Sequence, residues 1–181
     1  MKVLIYVPQG FSDENLSMVE LFLSKWGIRS DTTSYSGDVS GGAHGAVCHI
    51  DIRTGYAKLS DYDGIVLVDG TGIDSSRLFD YRPILDLIMA LNNSGKIIIA
   101  INNAVKIVAR ANIITGKRIS VKGDRSSSDI VRLFRGVPSA ENVEIAGNIL
   151  TMHDGKDGSI ETPMKKAMEY IESKFLASSH A

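Results

Sequence analysis

The sequence predicts an α/β protein: a mainly parallel sheet flanked by helices on both faces. Three observations carry that expectation. Continuous apolar runs at residues 2–7, 64–68 and 95–101 have the length and composition of strands buried on both sides. Segments of helical periodicity follow or separate them, and such alternation builds parallel sheets through right-handed crossovers. Each run also ends in a turn rich in glycine or asparagine, the place where open α/β sheets hold their ligands.

Taken in order, residues 2–7 form the first strand, bounded by Pro8 and Gly10. From Ser12, the residues Val19, Phe22, Leu23 and Trp26 share one helical face. Asp13 and Glu14 sit in its first turn, where the dipole favours anions, and Gly27 closes it. Residues 29–35 predict a second strand, 37–45 a loop, and 47–52 a short strand. The run 64–68 ends in the polar turn Asp69-Gly70-Thr71-Gly72. Residues 81–91 place Ile84, Leu85, Ile88 and Leu91 at helical spacing. The stretch 95–110 reads as a buried strand running straight into a helix, with Asn102 and Asn103 at the junction. Beyond it come a strand at 118–121, a helix at 128–134 capped by Ser126 to Ser128, and two short strands within 143–152 broken by Gly147-Asn148. The last helix starts with Thr162 as N-cap and Pro163 as first residue. Met164, Ala167, Met168, Ile171 and Phe175 form its apolar stripe.

Bulk properties narrow the function. A chain of 181 residues that is 44% hydrophobic suffices for one domain with a sizeable core. Twenty basic residues against twenty-one acidic, without long runs of either sign, leave no footprint for nucleic-acid binding. The single Cys48 forms no internal disulfide, and the hydrophobic N-terminal run is too short for a signal peptide or a membrane span, so a cytoplasmic location is expected. Four histidines and one cysteine lack metal-ligand spacing. The glycine runs around residues 41–45 and 70–72 lack the phosphate-loop and dinucleotide fingerprints, so no metal and no cofactor are expected.

Four pieces of the chain, in order, resemble a known superfamily. They are Gly10-Phe11-Ser12-Asp13-Glu14, the stretch Asp61-Tyr62-Asp63-Gly64-Ile65-Val66-Leu67-Val68-Asp69-Gly70, Ala100-Ile101-Asn102-Asn103-Ala104 with Ala111-Asn112-Ile113-Ile114-Thr115-Gly116-Lys117, and Gly147-Asn148-Ile149-Leu150-Thr151. Together they are similar to the PfpI-type intracellular proteases and the Parkinsonism-associated deglycase, relatives of the class I glutamine amidotransferase domain. The resemblance implies a flavodoxin-like, amidotransferase-like sandwich as a single domain over residues 1–181, with self-association into a homodimer or larger homo-oligomer. It also implies a site. Members are cysteine-dependent hydrolases, amidases, deglycases or glyoxalases, and their cysteine, on a strained elbow, matches Asn102. Many follow it with a histidine where this chain has Asn103. Their glutamate corresponds to Glu14, and Gly70 matches a glycine whose N–H helps form an oxyanion hole. Asp69 replaces a preferred second glycine, and Met152-His153-Asp154-Gly155 replaces a Ser-Arg-Gly-Pro run.

Asparagine has no accessible anionic form near neutral pH, so residue 102 is no nucleophile. It does suit a positive φ or a helix cap, as Asn103 suits a cap before the stripe Val105, Val108, Ala109. Glu14 is either a solvated helix-start carboxylate or a pocket group accepting from the Asn102 amide. Cys48 reads as a buried inert thiol, and His44 and His153 lie on expected loops near the site. Two functions fit. One is a small-molecule or partner binding protein, its binding residues being Asn102, Asn103, Gly70, Asp69 and His153. The other is an enzyme of non-thiol chemistry, with Glu14 as acid or base while Asn102 and the Gly70 backbone position a carbonyl. A structural or regulatory subunit is a weaker third.

Overall fold

The computed structural model describes residues 1–41 and 45–176; residues 42–44, among them His44, and 177–181 lie outside the described residues. The elements run β1 (Lys2–Tyr6), α1 (Asp13–Lys25), β2 (Arg29–Ser34), β3 (Val39–Ser40), β4 (Val47–Cys48), β5 (Ile52–Arg53), β6 (Gly64–Leu67), α2 (Gly72–Ser75), α3 (Arg82–Asn93) and β7 (Ile97–Ile101). They continue with α4 (Val105–Arg110), β8 (Arg118–Ser120), α5 (Arg125–Leu133), β9 (Val137–Ser139), β10 (Val143–Ala146), β11 (Ile149–Met152) and α6 (Glu161–Ile171).

The main sheet has the order β10-β11-β7-β6-β1-β2-β5 and is parallel except for the β10–β11 hairpin. Alternation along each strand divides the core in two. Val3, Ile5, Val66, Val68, Ile99 and Ile101 face α1 and α6, meeting Phe22, Leu23, Met164 and Met168. Leu4, Tyr6, Ile65, Leu67, Ile98 and Ala100 face the other way, towards Ile84, Ile88, Val105 and Val108 of α3 and α4. The register Tyr6↔Leu67↔Ala100 aligns the carboxyl ends of β1, β6 and β7, so the turns after them meet. Among the described residues no helix is long and apolar enough to cross a membrane.

Several boundaries differ from the sequence expectations. The strand expected at 47–52 is two pieces: β4 pairs with β3, and β5 joins the sheet edge beside β2. Side chains supplant the ladder between them, because Asp38 accepts from Ile50 N–H at 3.1 Å and Asp51 accepts from Thr32 N–H at 2.8 Å. The stretch Val137–Ser139, for which the sequence predicts no element, forms strand β9; Pro138 at its centre is tolerated because it sits at an edge, paired only with Ile119. Helix α5 starts three residues early, capped by Asp124, which accepts from Ser127 N–H at 2.7 Å; the serines lie inside the helix. Helix α6 begins at Glu161 with Ile160 at the cap position, so Thr162 is already helical and Pro163 falls in the first turn, where no intrahelical N–H is lost. Phe175 belongs to the π turn Glu172–Leu176, yet still packs on the core.

One ion pair pins the site's supports. Lys106 of α4 is only 1% exposed, and its Nζ lies 2.8 Å from both carboxylate oxygens of Asp74 in α2. A buried ammonium without a partner is strongly destabilising, whereas an apolar replacement of similar shape is tolerated. Asp74 is itself half exposed, which lets water soften its loss. Asp74→Ala is therefore expected to cost about 2 kcal/mol in urea denaturation, with Lys106→Met costing distinctly less.

Candidate functional site

The β1–α1 loop and the β6–α2 turn interlock through main chain. Thr71 N–H donates to Gly10 O at 3.0 Å, Gly72 N–H to Gln9 O at 2.8 Å, and Ser12 N–H to Asp69 O at 2.9 Å. Gly70 permits this approach: a Cβ there would lie 2.7 Å from Pro8 Cγ and 2.9 Å from Phe11 Cα. The third contributor is the β7–α4 junction. Asn102 has φ 49°, a left-handed conformation in which asparagine is tolerated better than most residues. A 3-10 turn, Asn102–Ala104, then carries the chain into α4.

Two adjoining cavities open at this meeting point. One, of about 240 Å³, is bounded by Gly10 to Glu14, by Asp69, Gly70 and Thr71, and by Asn103. The other, of about 440 Å³, is bounded by Asp69, Asn102, Asn103 and the segment Lys122-Gly123-Asp124. Asp69 and Asn103 form the shared wall. The structure thus brings Glu14, Asp69, Gly70 and Asn103 to one cavity and places Asn102 in the next.

Asp69 is the centre of the hydrogen bonding. Its Oδ1 accepts from the Gly70 N–H at 2.8 Å, and the Asn102 side-chain amide and the Asn103 N–H are near enough to lower its pKa. Burial raises its pKa above the ordinary carboxylate value; the three donors oppose that rise and the nearby negative charge of Asp154 adds to it. The Asn102 Oδ1 accepts from the Asp154 N–H at 3.1 Å. Lys122 Nζ is ion-paired with the Asp154 carboxylate.

This differs from the sequence expectation in three respects. The carboxylate beside the Asn102 amide is that of Asp69, which stands next to the elbow while Glu14 is an exposed residue of the first turn of α1. The Gly70 N–H expected to face a substrate carbonyl donates to Asp69. Asn103 does not cap α4, whose N-cap is Ala104; its side-chain oxygen instead accepts from Ser127 Oγ at 3.4 Å. Asp69 is legible in the sequence only as an intruding anion, since its three donors come from residues whose orientation depends on the elbow.

His153 lines neither cavity. Its buried ring places Nδ1 2.7 Å from Ser120 Oγ, which is also 2.7 Å from the Glu141 carbonyl. A hydroxyl has one proton, and Ser120 donates it to the carbonyl, so His153 donates from Nδ1 and carries its lone pair on Nε2. Burial lowers its pKa below the ordinary 6.5. Cys48, in β4, is buried, and burial, reinforced by Glu20, Asp51 and Asp38, pushes its thiol up to about 11. Among the described residues no cluster of three or more His, Cys, Asp or Glu side chains is placed to hold a metal ion.

A mainly parallel sheet with an asparagine at the positive-φ turn above its central strands defines the class: a flavodoxin-like α/β protein. The chain belongs to the DJ-1/PfpI family, whose pattern matches residues 1–155. An uncharacterised protein of Methanocaldococcus jannaschii is 23% identical over 149 residues, 82% of this chain and 72% of that protein. A ThiJ/PfpI domain protein from Brachyspira murdochii superposes with a TM-score of 0.82 at 21% identity, covering 95% of this chain and 96% of its own. DJ-1 from Schizosaccharomyces pombe superposes with a TM-score of 0.77 at 14% identity, covering 96% and 91%. At these identities the likeness is one of fold.

Two outcomes follow for the isolated protein. Replacing Asn102 by Ala strains a positive φ that Gly accepts, so Asn102→Ala should be less stable than Asn102→Gly by about 1 kcal/mol in urea melts. For His153 the folded pKa is depressed, so the unfolded chain binds the proton first as pH falls. Its contribution is complete above 6.5 and is lost as pH falls below that value towards the lower folded pKa. The denaturation midpoint should drop over that interval, and less so in His153→Gln.

Proposed function

We propose that this chain is a DJ-1/PfpI-family protein that binds a small molecule at the elbow without the Cys-His chemistry of its relatives. The observation that carries this is Asn102: it holds the positive-φ elbow, its amide oxygen accepts from the Asp154 backbone N–H, and its amide lies beside the Asp69 carboxylate. Such a residue shapes a pocket and supplies no nucleophile. The cavities beside it are large enough for a small organic ligand or a fragment of one. A cytoplasmic location and self-association into a homodimer or larger assembly belong to the same proposal, on the strength of the family resemblance.

Turnover with Glu14 as acid or base is the second function, favoured by its place in the smaller cavity with Asp69 and Gly70. It is weakened by the Gly70 N–H, which already has an acceptor. Screening a metabolite collection by ligand-observed NMR separates the two. Binding with the ligand recovered unchanged supports the first, whereas turnover abolished in Glu14→Gln and untouched by thiol alkylation replaces it with the second. The elbow itself is checked with Asn102→Cys. Position 102 is less buried than Cys48, whose thiol is held up by burial, so the introduced thiol should react with iodoacetamide far faster. A residue 102 thiol no faster than Cys48 would refute an accessible elbow.

A further inference from the structure

Resting on that proposal of a thiol-free binding pocket, the geometry assigns its selectivity to one residue. We propose that Asp69 is the specificity-determining residue: its carboxylate occupies the Gly70 N–H as a resident anion, so the pocket excludes small carboxylates and phosphates and admits neutral or cationic ligands.

A backbone N–H at such a turn, with a second N–H and a side-chain amide close by, makes a receptor for a negatively charged oxygen. Here the acceptor is supplied by the residue adjacent to Gly70, so it is held at the donors by the chain itself and a free anion must compete with an intramolecular one. The surroundings reinforce the exclusion. Asp13, Glu14 and Asp69 line the smaller cavity, which has no basic side chain among its described lining residues, and Asp124 stands in the larger one. The single lysine there, Lys122, is paired with Asp154. An incoming anion therefore meets like charge at the donors and along the walls. Volume does not exclude it, because acetate and phosphate are much smaller than a cavity of about 240 Å³. Selection is by charge.

The test reads the donors themselves. In 15N-labelled protein, the Gly70 and Asn103 amide resonances are followed during titration with sodium acetate and, separately, with inorganic phosphate at constant ionic strength. Asp69→Ala is expected to show saturable shifts at both amides, with an affinity at least about tenfold above the wild type. Equal affinities in the two proteins, or a folded Asp69→Ala whose amides do not respond, would overturn the proposal. The wild type alone supplies a second measurement should the variant not fold. On acidification the Gly70 and Asn103 amide shifts should move with the Asp69 carboxyl carbon at one shared midpoint. That midpoint must be separated from those of the other groups facing the cavities: Asp13 and Glu14 from α1, Lys122 and Asp124 from the β8–α5 link, and Asp154 beyond β11. Amides that stay fixed while Asp69 titrates would sink the resident-anion assignment. These readouts use neither turnover nor a natural ligand, so failure here leaves ligand binding without thiol chemistry standing, and discovery of thiol-dependent turnover would leave the anion measurement intact.

Discussion

The molecule turns on a backbone reversal at Asn102. Strand β7 is completely buried, and its chain must leave the sheet and enter α4 with a single 3-10 turn between them. A left-handed residue makes that reversal at a cost of about 1–2 kcal/mol for an ordinary L-amino acid. Asparagine lessens the cost, and here its side-chain oxygen accepts from the backbone after β11 while its amide lies beside Asp69 after β6. The two strands that flank β7 are thereby joined above it. Remove the reversal and the turn after β6, the start of α4 and the end of β11 lose their common anchor.

Around that anchor the electrostatics are unusual for an α/β ligand site. Backbone donors at such a turn serve anions in general, yet this chain has placed its own anion on them. Asp69 suffers from burial and from Asp154, and is partly compensated by the Gly70 N–H and by the nearby donors of Asn102 and Asn103. Burial outweighs the donors, which is why its pKa rises although the Gly70 N–H still points at the carboxylate.

The fold was largely legible in the sequence because its signals are local. The apolar runs of β1, β6 and β7, the Ser12 cap of α1 and the hairpin around Gly147 each depend on residues close in the chain. What escaped depends on partners far away in sequence. Pro138 looks like a strand breaker until Ile119 offers it an edge. Asp38 and Asp51 split a strand through residues from separate segments, and the real cap of α5, Asp124, is one of several polar candidates in a serine-rich stretch. The site divides the same way. Glu14, Gly70 and Asn102 could be placed at the carboxyl ends of their strands, because topology alone puts those turns together. Which carboxylate Asn102 would choose, and that His153 would turn to Ser120, required orientations that no spacing encodes.

The interlock of the β1–α1 and β6–α2 loops has a consequence for how such a pocket diversifies. Its wall is main chain laid on main chain, with Gly10 and Gly70 leaving no space for a side chain between the two. Cavity dimensions are therefore inherited with the backbone, whereas charge is set by the side chains that project inward, Asp13, Glu14 and Asp69. Shape and polarity can drift independently in such a scaffold: one chain could keep a relative's mould while reversing the sign of what it attracts.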